Sequence, residues 1–258
     1  MKSKFIIDAV GQASRLRARR RTAAIILAGG SGSRMGGTTP KQLLEVGGLP
    51  VIIRTALAFE KCKDIRSIVI VSRREDVDRI ETLARAHGIT KLSKIVIGGE
   101  SRMLSALAGF EAIEKDIRYV AVHDAARCLI TPEQISSVVR GAYLSGAAIA
   151  VCAERDTLKR VDQYGFVVET VERATTVHAQ TPQVFDERLY RAAIYTAVKN
   201  KSEVTDDARM VELIGHGIRT VDCGQDNFKI TYEGDVDAAE AVLERRRLSG
   251  EASNRSST

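Results

Sequence analysis

Short apolar runs alternate with longer amphipathic stretches along most of this 258-residue chain, and this alternation constrains the fold more than any other sequence feature. The short runs are rich in β-branched residues, which is typical of buried strands. They occupy residues 22–27, 67–71, 94–97, 119–122 and 147–151. The stretches between them have helical spacing at 51–61, 76–87, 101–115 and 132–145. Because strands alternate with helices, we expect an α/β fold in which a mostly parallel sheet has helices on both faces.

The pattern changes after residue 157. Residues 159–170 alternate in character around Tyr164-Gly165, which predicts a β-hairpin that projects from the sheet as an arm at about 156–176. Helical spacing resumes at 186–199, 206–214 and 235–246. We therefore expect a single domain over 22–247, a basic and disordered extension over 1–21, and a disordered tail over 248–258.

The net charge of +6 belongs to the start of the chain. The first 21 residues contain seven basic side chains and one acidic one, so the remainder is electrically balanced. The chain has no Trp and only 5% aromatic residues, which disfavours a base-stacking surface. We expect no nucleic-acid partner for the folded part, and the basic start is either a disordered extension or a transit-like segment.

The four cysteines, at 62, 128, 152 and 223, form no C-x-x-C pair. This spacing disfavours a zinc ribbon or a thioredoxin-type site, and scattered thiols suit a reducing compartment. No apolar run approaches the ~20 residues that a membrane-spanning helix needs. We expect a cytoplasmic protein with no membrane partner.

A glycine-rich loop follows the first predicted strand. Gly29, Gly30 and Gly32 allow backbone N–H groups to approach an anion closely, and Arg34 and Lys41 add two cations nearby. The spacing fits neither a Walker A loop nor a dinucleotide fingerprint. The loop therefore favours triphosphate chemistry, and the alternative is a flexible connection with solvated basic residues.

Two further clusters follow predicted strands at their carboxyl ends, where ligands bind in open α/β sheets. Residues 98–102 (GGESR) suit either a ligand-binding turn or a simple helix cap. In the second cluster, Asp124 suits hydroxyl or Mg²⁺ binding, while Arg127 suits phosphate binding or a structural pair with Asp124. His123 is expected to pack against the sheet.

Three weaker polar motifs follow. Residues 180–183 (QTPQ) suit a bent loop, and residues 205–207 (TDD) precede a helix. Residues 227–231 form a short β-like run in which Lys229 faces either solvent or a cleft.

In chain order, these motifs resemble those of the cytidylyltransferase family of isoprenoid biosynthesis. The matching segments are the glycine loop with Arg34 and Pro40-Lys41, then Gly98-Gly99 with Arg102, 123–127, 156–160, 169–173, 180–183, 205–208 and 227–231. The resemblance spans residues 23 to about 243. The resemblance implies a Rossmann-like, mostly parallel doubly wound sheet of the nucleotidyltransferase type.

The resemblance also implies a reaction in which a sugar-alcohol phosphate, 2-C-methyl-D-erythritol 4-phosphate, attacks CTP and releases pyrophosphate. Mg²⁺ would be bound mainly through the CTP phosphates. The implied catalytic residues are Arg34, Lys41, Arg173 and Lys229. The implied substrate-binding residues are Asp124, Arg127, Thr157, Thr181 and Thr205. The implied nucleotide-binding residues are Leu27, Ala28, Gly29, Gly30, Gly32, Gly99, Glu100, Arg102 and Ser105.

In that family the partner subunit contributes the residue matching Arg173, so the resemblance implies a homodimer through the hairpin arm. Residues 27–30 (LAGG) also resemble the ribitol 5-phosphate cytidylyltransferases, whereas Glu172-Arg173 and residues 205–208 favour the methylerythritol enzymes. Two alternatives therefore stay open: a ribitol 5-phosphate cytidylyltransferase, and a non-catalytic nucleotide-binding protein on the same fold.

Overall fold

The computed structural model describes residues 20–30 and 40–255 of the chain. Its strands are β1 (Thr22–Leu27), β2 (Glu45–Val46), β3 (Leu49–Pro50), β4 (Ile65–Ser72), β5 (Leu92–Ile97), β6 (Tyr119–Asp124), β7 (Ala147–Ala153), β8 (Lys159–Val161), β9 (Val167–Thr170), β10 (Val177–Asp186) and β11 (Arg219–Asp222). Its helices are α1 (Val51–Lys61), α2 (Val77–Ala86), α3 (Arg102–Ala112), α4 (Pro132–Ser145), α5 (Glu187–Lys199), α6 (Asp207–Leu213) and α7 (Gly234–Arg255).

Seven of the strands in the described ranges form one sheet, in the order β11-β7-β10-β6-β1-β4-β5. Strand β1 lies between β4 and β6 and is parallel to both. At the two edges of the sheet, β5 is parallel to β4 and β11 is parallel to β7. Only β10 among these seven runs antiparallel to its neighbours. The predicted Rossmann-like, mostly parallel fold is confirmed.

Two apolar layers cover the faces of this sheet. In β1 the side chains alternate, so that Ala24 and Ile26 belong to one buried layer and Ala23 and Ile25 to the other. Helices α1, α2 and α4 close the first layer, while α3, α5 and α6 close the second. Because both faces are buried, the central strands are continuous apolar runs rather than alternating ones.

Helix α4 shows how local sequence sets the boundaries of an element. Thr131 and Gln134 form a reciprocal capping box, Pro132 occupies the first turn, and Gly146 ends the helix with φ at 81°. A left-handed residue at this position is best occupied by glycine. The predicted limits of this helix are therefore confirmed.

The bent loop predicted at 180–183 is wrong, because these residues belong to β10. The strand pairs with β6 and β7, and its register against β7 shifts between Ala179 and Gln183, around a cis Thr181-Pro182 peptide bond. Polar residues and a proline resemble a loop in sequence, but here buried hydrogen bonds satisfy the polar groups inside the fold.

The predicted hairpin forms a separate two-stranded sheet of β8 and β9. Asp162 Oδ1 accepts hydrogen bonds from the backbone N–H groups of Tyr164 and Phe166, and Gly165 takes a φ of 88°. Every residue of the two strands is exposed. The arm therefore projects from the body of this chain.

The ends of the chain differ in part from expectation. Residues 1–19 and 256–258 lie outside the described residues, whereas Arg21 pairs with Asp116 and its carbonyl accepts from Tyr119 N at 3.0 Å. Helix α7 continues to Arg255, beyond the predicted end at residue 247. No described helix is long and apolar enough to cross a membrane.

Candidate active site

A cleft of about 470 Å³ opens at the carboxyl edge of the parallel strands. The described residues that line it are Leu27, Ala28, Gly29, Gly30, Lys41, Gln42, Gly99, Glu100, Ser101, Arg102, Ser105, Asp124, Ala125, Ala126 and Lys229. They come from the last residues of β1 and β6, from the segments that follow β1, β5 and β6, from the first turn of α3 and from the 227–231 segment. A larger cavity lies at the opposite edge, but none of the predicted site residues lines it.

The loop after β1 forms one wall of the cleft. Ala28 N donates to Val71 O at 2.7 Å, and Ala125 N donates to Leu27 O at 3.0 Å, which fixes the start of the loop. A Cβ at Gly30 would lie 3.5 Å from Cε of Lys41, so the lysine side chain extends over the glycine backbone. Gly32 and Arg34 lie outside the described residues.

The loop after β5 packs tightly against helix α3. Ser101 caps this helix by accepting a hydrogen bond from Leu104 N at 3.1 Å. A Cβ at Gly99 would lie 2.5 Å from Cβ of Leu104, so this position requires glycine. Ser105 Oγ donates to Gly99 O at 3.2 Å and holds the loop against the helix. Glycine therefore serves close packing at this position.

Asp124, at the end of β6, is the charged centre of the cleft. Its Oδ2 accepts a hydrogen bond from Lys229 Nζ at 2.8 Å, and its Oδ1 lies 3.6 Å from Arg102 Nη2. Burial alone would raise the pKa of Asp124, but the charges of Lys229 and Arg102 outweigh it and hold the pKa well below its ordinary value. Asp124 is therefore ionised, and Lys229 faces the cleft rather than solvent.

A buried chain of hydrogen bonds supports Asp124 from behind. Asp124 N donates to Thr181 Oγ1 at 3.1 Å, and this hydroxyl lies 3.0 Å from His123 Nδ1. His123 Nε2 lies 3.2 Å from the carbonyl oxygen of Arg127, which only accepts, so Nε2 carries the ring proton. Burial lowers the pKa of His123 to about 3, so the ring is neutral, and it packs against Phe59 as a structural residue.

Two of the predicted substrate residues belong to this supporting layer. Thr181 is 3% exposed, and neither Thr181 nor Arg127 is among the described residues that line the cleft. Arg127 Nη1 donates to Asn227 O at 2.8 Å, and Asn227 Nδ2 donates to Thr181 O at 2.9 Å. These bonds fix the segment that presents Lys229 to Asp124.

Three other predicted residues lie away from the cleft in this chain. Thr157, Arg173 and Thr205 are exposed, and none lines the described cleft. Arg173 Nη1 donates to Arg155 O at 2.9 Å within the base of the arm. A single chain therefore brings together the described nucleotide residues and Asp124, but not the other predicted acceptor residues.

Sequence reasoning missed Gln42, Asp207 and Tyr190. Gln42 is 2% exposed beside Lys41, and its Nε2 donates to Asp76 Oδ2 at 3.0 Å. Asp207 lies behind Arg102 and accepts from it at 2.6 Å. The signal for Asp207 was the paired Asp206-Asp207, in which one carboxylate caps helix α6 and the other faces inward.

Metal ligands are sparse in this region. Among the described residues, no group of three or more His, Cys, Asp or Glu side chains is placed to hold a metal ion. Asp124 and Glu100 are the described carboxylates that line the cleft. This donor set fits a hard cation that takes most of its ligands from phosphate and water.

Comparison with protein families identifies residues 22–245 as a match to the family model of 2-C-methyl-D-erythritol 4-phosphate cytidylyltransferase. A curated relative of that name from Pelotomaculum thermopropionicum is 38% identical over 229 residues, which covers 88% of this chain and 96% of the relative. Another, from Halalkalibacterium halodurans, is 36% identical over 219 residues, covering 85% of this chain and 95% of the relative.

Solved structures agree with these relatives. The 4-diphosphocytidyl-2C-methyl-D-erythritol synthase from Anaerococcus prevotii superposes with a TM-score of 0.79 at 29% identity, covering 88% of this chain and 97% of the other. The 2-C-methyl-D-erythritol 4-phosphate cytidylyltransferase from Thermus thermophilus gives a TM-score of 0.71 at 28% identity, covering 86% and 98%. The chain belongs to the 2-C-methyl-D-erythritol 4-phosphate cytidylyltransferase family.

Proposed function

We propose that the cleft transfers CMP from CTP to 2-C-methyl-D-erythritol 4-phosphate, which releases pyrophosphate and forms 4-diphosphocytidyl-2-C-methyl-D-erythritol. One observation supports this most directly, besides membership of the family. The side chains of Lys41, Lys229 and Arg102 converge with the ionised Asp124 beside a loop that exposes glycine backbone. A binding module would not need several cations around one small cleft.

The nucleotide occupies the wall formed by the loops after β1 and β5. Backbone N–H groups of Gly29 and Gly30 approach the phosphates, while Leu27 and Ala28 line the wall and anchor the loop to the sheet. Gly32 and Arg34 extend this loop in the proposal. Gly99, Glu100 and Ser105 line the same wall and supply hydrogen-bonding groups for the cytosine. Arg102 faces the phosphates from the start of α3.

The reaction concentrates negative charge at one phosphorus atom. An oxygen of the acceptor phosphate attacks the α-phosphorus of CTP, a new P–O bond forms, and the bond to the β-phosphate oxygen breaks. Lys41 and Lys229 both line the cleft and stabilise this charge, together with Arg34 in the proposal. The remaining role of the protein is to hold the two phosphates in line.

Mg²⁺ fits this site as a partner of the bound CTP. Asp124 offers it one ionised carboxylate, and the triphosphate offers the other anionic ligands. When bound, the ion neutralises part of the phosphate charge.

The acceptor side of the site comes from a second copy of the chain. Arg173 and Thr157 lie at the arm, outside the cleft of their own chain, while the arm exposes Val161, Phe166 and Val168. Burying these apolar side chains against a partner would stabilise a homodimer and would bring Arg173 to the partner's cleft. In that assembly, Arg127, Thr181 and Thr205 form the surroundings of the acceptor, with Thr181 and Arg127 acting from behind.

The test is pyrophosphate release by the purified protein with CTP and Mg²⁺. The two acceptors compared are 2-C-methyl-D-erythritol 4-phosphate and ribitol 5-phosphate. We expect turnover with the first and none with the second. Turnover with ribitol 5-phosphate alone would keep the chemistry and reject the acceptor, whereas a folded, CTP-binding protein that is inactive with both would reject the proposed transfer.

A further inference from the structure

We infer that Asp207 is a positioning residue that holds Arg102 in the orientation needed for the nucleotide phosphates. Asp207 acts through Arg102, because its own carboxylate lies behind the cleft and does not line it. The inference deepens the proposed function, since it rests on Arg102 as a nucleotide-binding residue. It does not depend on the identity of the acceptor.

Asp207 is the first residue of α6 and is fully buried. Its Oδ2 accepts a hydrogen bond from Arg102 Nη1 at 2.6 Å, and its Oδ1 accepts one from the hydroxyl of Tyr190 at 2.6 Å. Each carboxylate oxygen therefore has a short, directed donor. A buried carboxylate is costly unless it is paired and hydrogen-bonded, and this one is held in a single orientation by two partners from different helices.

Tyr190 provides a rigid support for this carboxylate. Its ring stacks on Phe185 with centroids 5.3 Å apart and meets the edge of Phe110 at 5.2 Å. Burial, with the nearby Asp207 carboxylate, raises the pKa of Tyr190 well above its ordinary value, so the hydroxyl keeps its proton and donates. The position of Asp207 is therefore fixed by the apolar layer beneath the sheet.

Arg102 lies between two carboxylates. Nη1 bonds to Asp207, while Nη2 lies 3.6 Å from Asp124 Oδ1 and the side chain lines the cleft. Burial opposes the charge on Arg102, but Asp207 and Asp124 outweigh it and raise its pKa. Without the charge of Asp207, the guanidinium would move toward Asp124. It would then compete with Lys229 for that carboxylate and turn away from the phosphates.

The test compares Asp207→Asn, Arg102→Gln and the double variant. Asparagine keeps the shape and one acceptor oxygen but removes the charge that holds Arg102. We expect the Kd and the KM for CTP each to rise by about tenfold in Asp207→Asn, with a smaller change in kcat. If Asp207 acts through Arg102, the double variant should bind CTP as weakly as Arg102→Gln and no more weakly.

Glu212→Gln is the matched control, because it removes an exposed carboxylate–arginine pair from the same helix. It should leave CTP affinity unchanged. Unchanged CTP affinity in folded Asp207→Asn would overturn the inference. A double variant in which the binding free energies lost by the two single variants add fully would also overturn it. If Asp207→Asn does not fold, Tyr190→Phe is tested in its place. It removes one donor to Asp207 and should weaken CTP affinity by about threefold. Unchanged CTP affinity in folded Tyr190→Phe also overturns the inference.

Calorimetric titration of CTP separates this inference from the proposed function. A wild-type protein that binds CTP but transfers to neither acceptor contradicts the proposed function alone, and the variants still decide the role of Asp207. A folded wild-type protein that binds no CTP contradicts both.

Discussion

The cleft and the hairpin arm are stabilised in different ways. In the cleft, Asp124 is bonded to Lys229 in front and, through its N–H group, to Thr181 behind. In the arm, β8 and β9 pair with each other in a separate sheet, and every residue of these strands is exposed. The difference supports the proposal that one chain preorganises the nucleotide half of the site and that a second copy completes the acceptor half.

The largest effect should come from the cleft itself. Lys41→Ala should lower turnover by about a thousandfold, because it removes a cation from the place where negative charge develops in the transition state. Steady-state pyrophosphate release measures this loss, and thermal unfolding checks the fold. Lys61→Ala, at the exposed end of α1, is the control and should retain wild-type turnover. Equal turnover in Lys41→Ala would contradict the role given to this residue.

The second prediction concerns the arm. Phe166 is 72% exposed and Val168 is 59% exposed, so Phe166→Asp with Val168→Asp should dissociate the proposed dimer without disturbing the core. We expect the mass in sedimentation analysis to halve and turnover to fall by about tenfold or more, while CTP affinity stays within about twofold. Leu144→Asp alters another exposed apolar residue, on helix α4, and should change none of these.

A mixing experiment sharpens the same prediction. Dimers of Lys41→Ala alone and of Arg173→Ala alone should each be inactive, but a mixed dimer should have one intact site if each arm serves the partner's cleft. Random exchange of subunits should therefore restore about a quarter of wild-type activity. No recovery after proven subunit exchange would mean that each arm serves its own chain.

The comparison also explains how far the sequence could predict the site. Gly29, Gly30, Gly99 and Asp124 lie at one edge of the sheet, as the sequence predicts, because the carboxyl ends of parallel strands meet there. The resemblance implies a substrate role for Thr181, whose hydroxyl bonds inward to His123, and residue type does not reveal which way a side chain points.

Local sequence patterns do not predict which residues distant in sequence come into contact. Arg102 and Asp207 are separated by 105 positions, and the tertiary fold brings the first residue of α3 to the first residue of α6. Strand β10 was missed for a related reason, since its buried polar residues are satisfied by groups from distant segments. Periodicity predicts which face of an element is apolar, but it does not predict such pairings.

A third prediction concerns the pH dependence of stability, which depends on His123 beneath the cleft. The pKa of His123 is lowered to about 3, whereas the unfolded residue titrates at about 6.5. Between these values only the unfolded chain binds this proton, so stability falls as the pH drops below about 6.5. We expect the unfolding free energy to decrease by about 1.5 kcal/mol between pH ~6.5 and ~5, measured by urea titration.

His123→Gln should flatten this dependence, because the titrating ring is gone while a hydrogen-bonding side chain remains. His216→Gln, at a partly exposed position after α6, should keep the wild-type slope. An unchanged slope in His123→Gln would show that another group is responsible for the acid sensitivity.

The smallest effect should follow removal of the basic start of the chain. If the function lies in the cleft, deleting residues 1–19 should leave kcat/KM within about twofold, because none of the predicted site residues is removed. Deleting 1–21 also removes the Arg21–Asp116 pair and the carbonyl groups that accept from Tyr119 N and the Tyr143 hydroxyl. That longer deletion should lower the free energy of unfolding by about 1–2 kcal/mol, and therefore the melting temperature by a few degrees, with turnover retained. Loss of turnover already on deleting 1–19, in a folded protein, would instead assign the basic segment a direct part in function, which neither the cleft nor the arm requires.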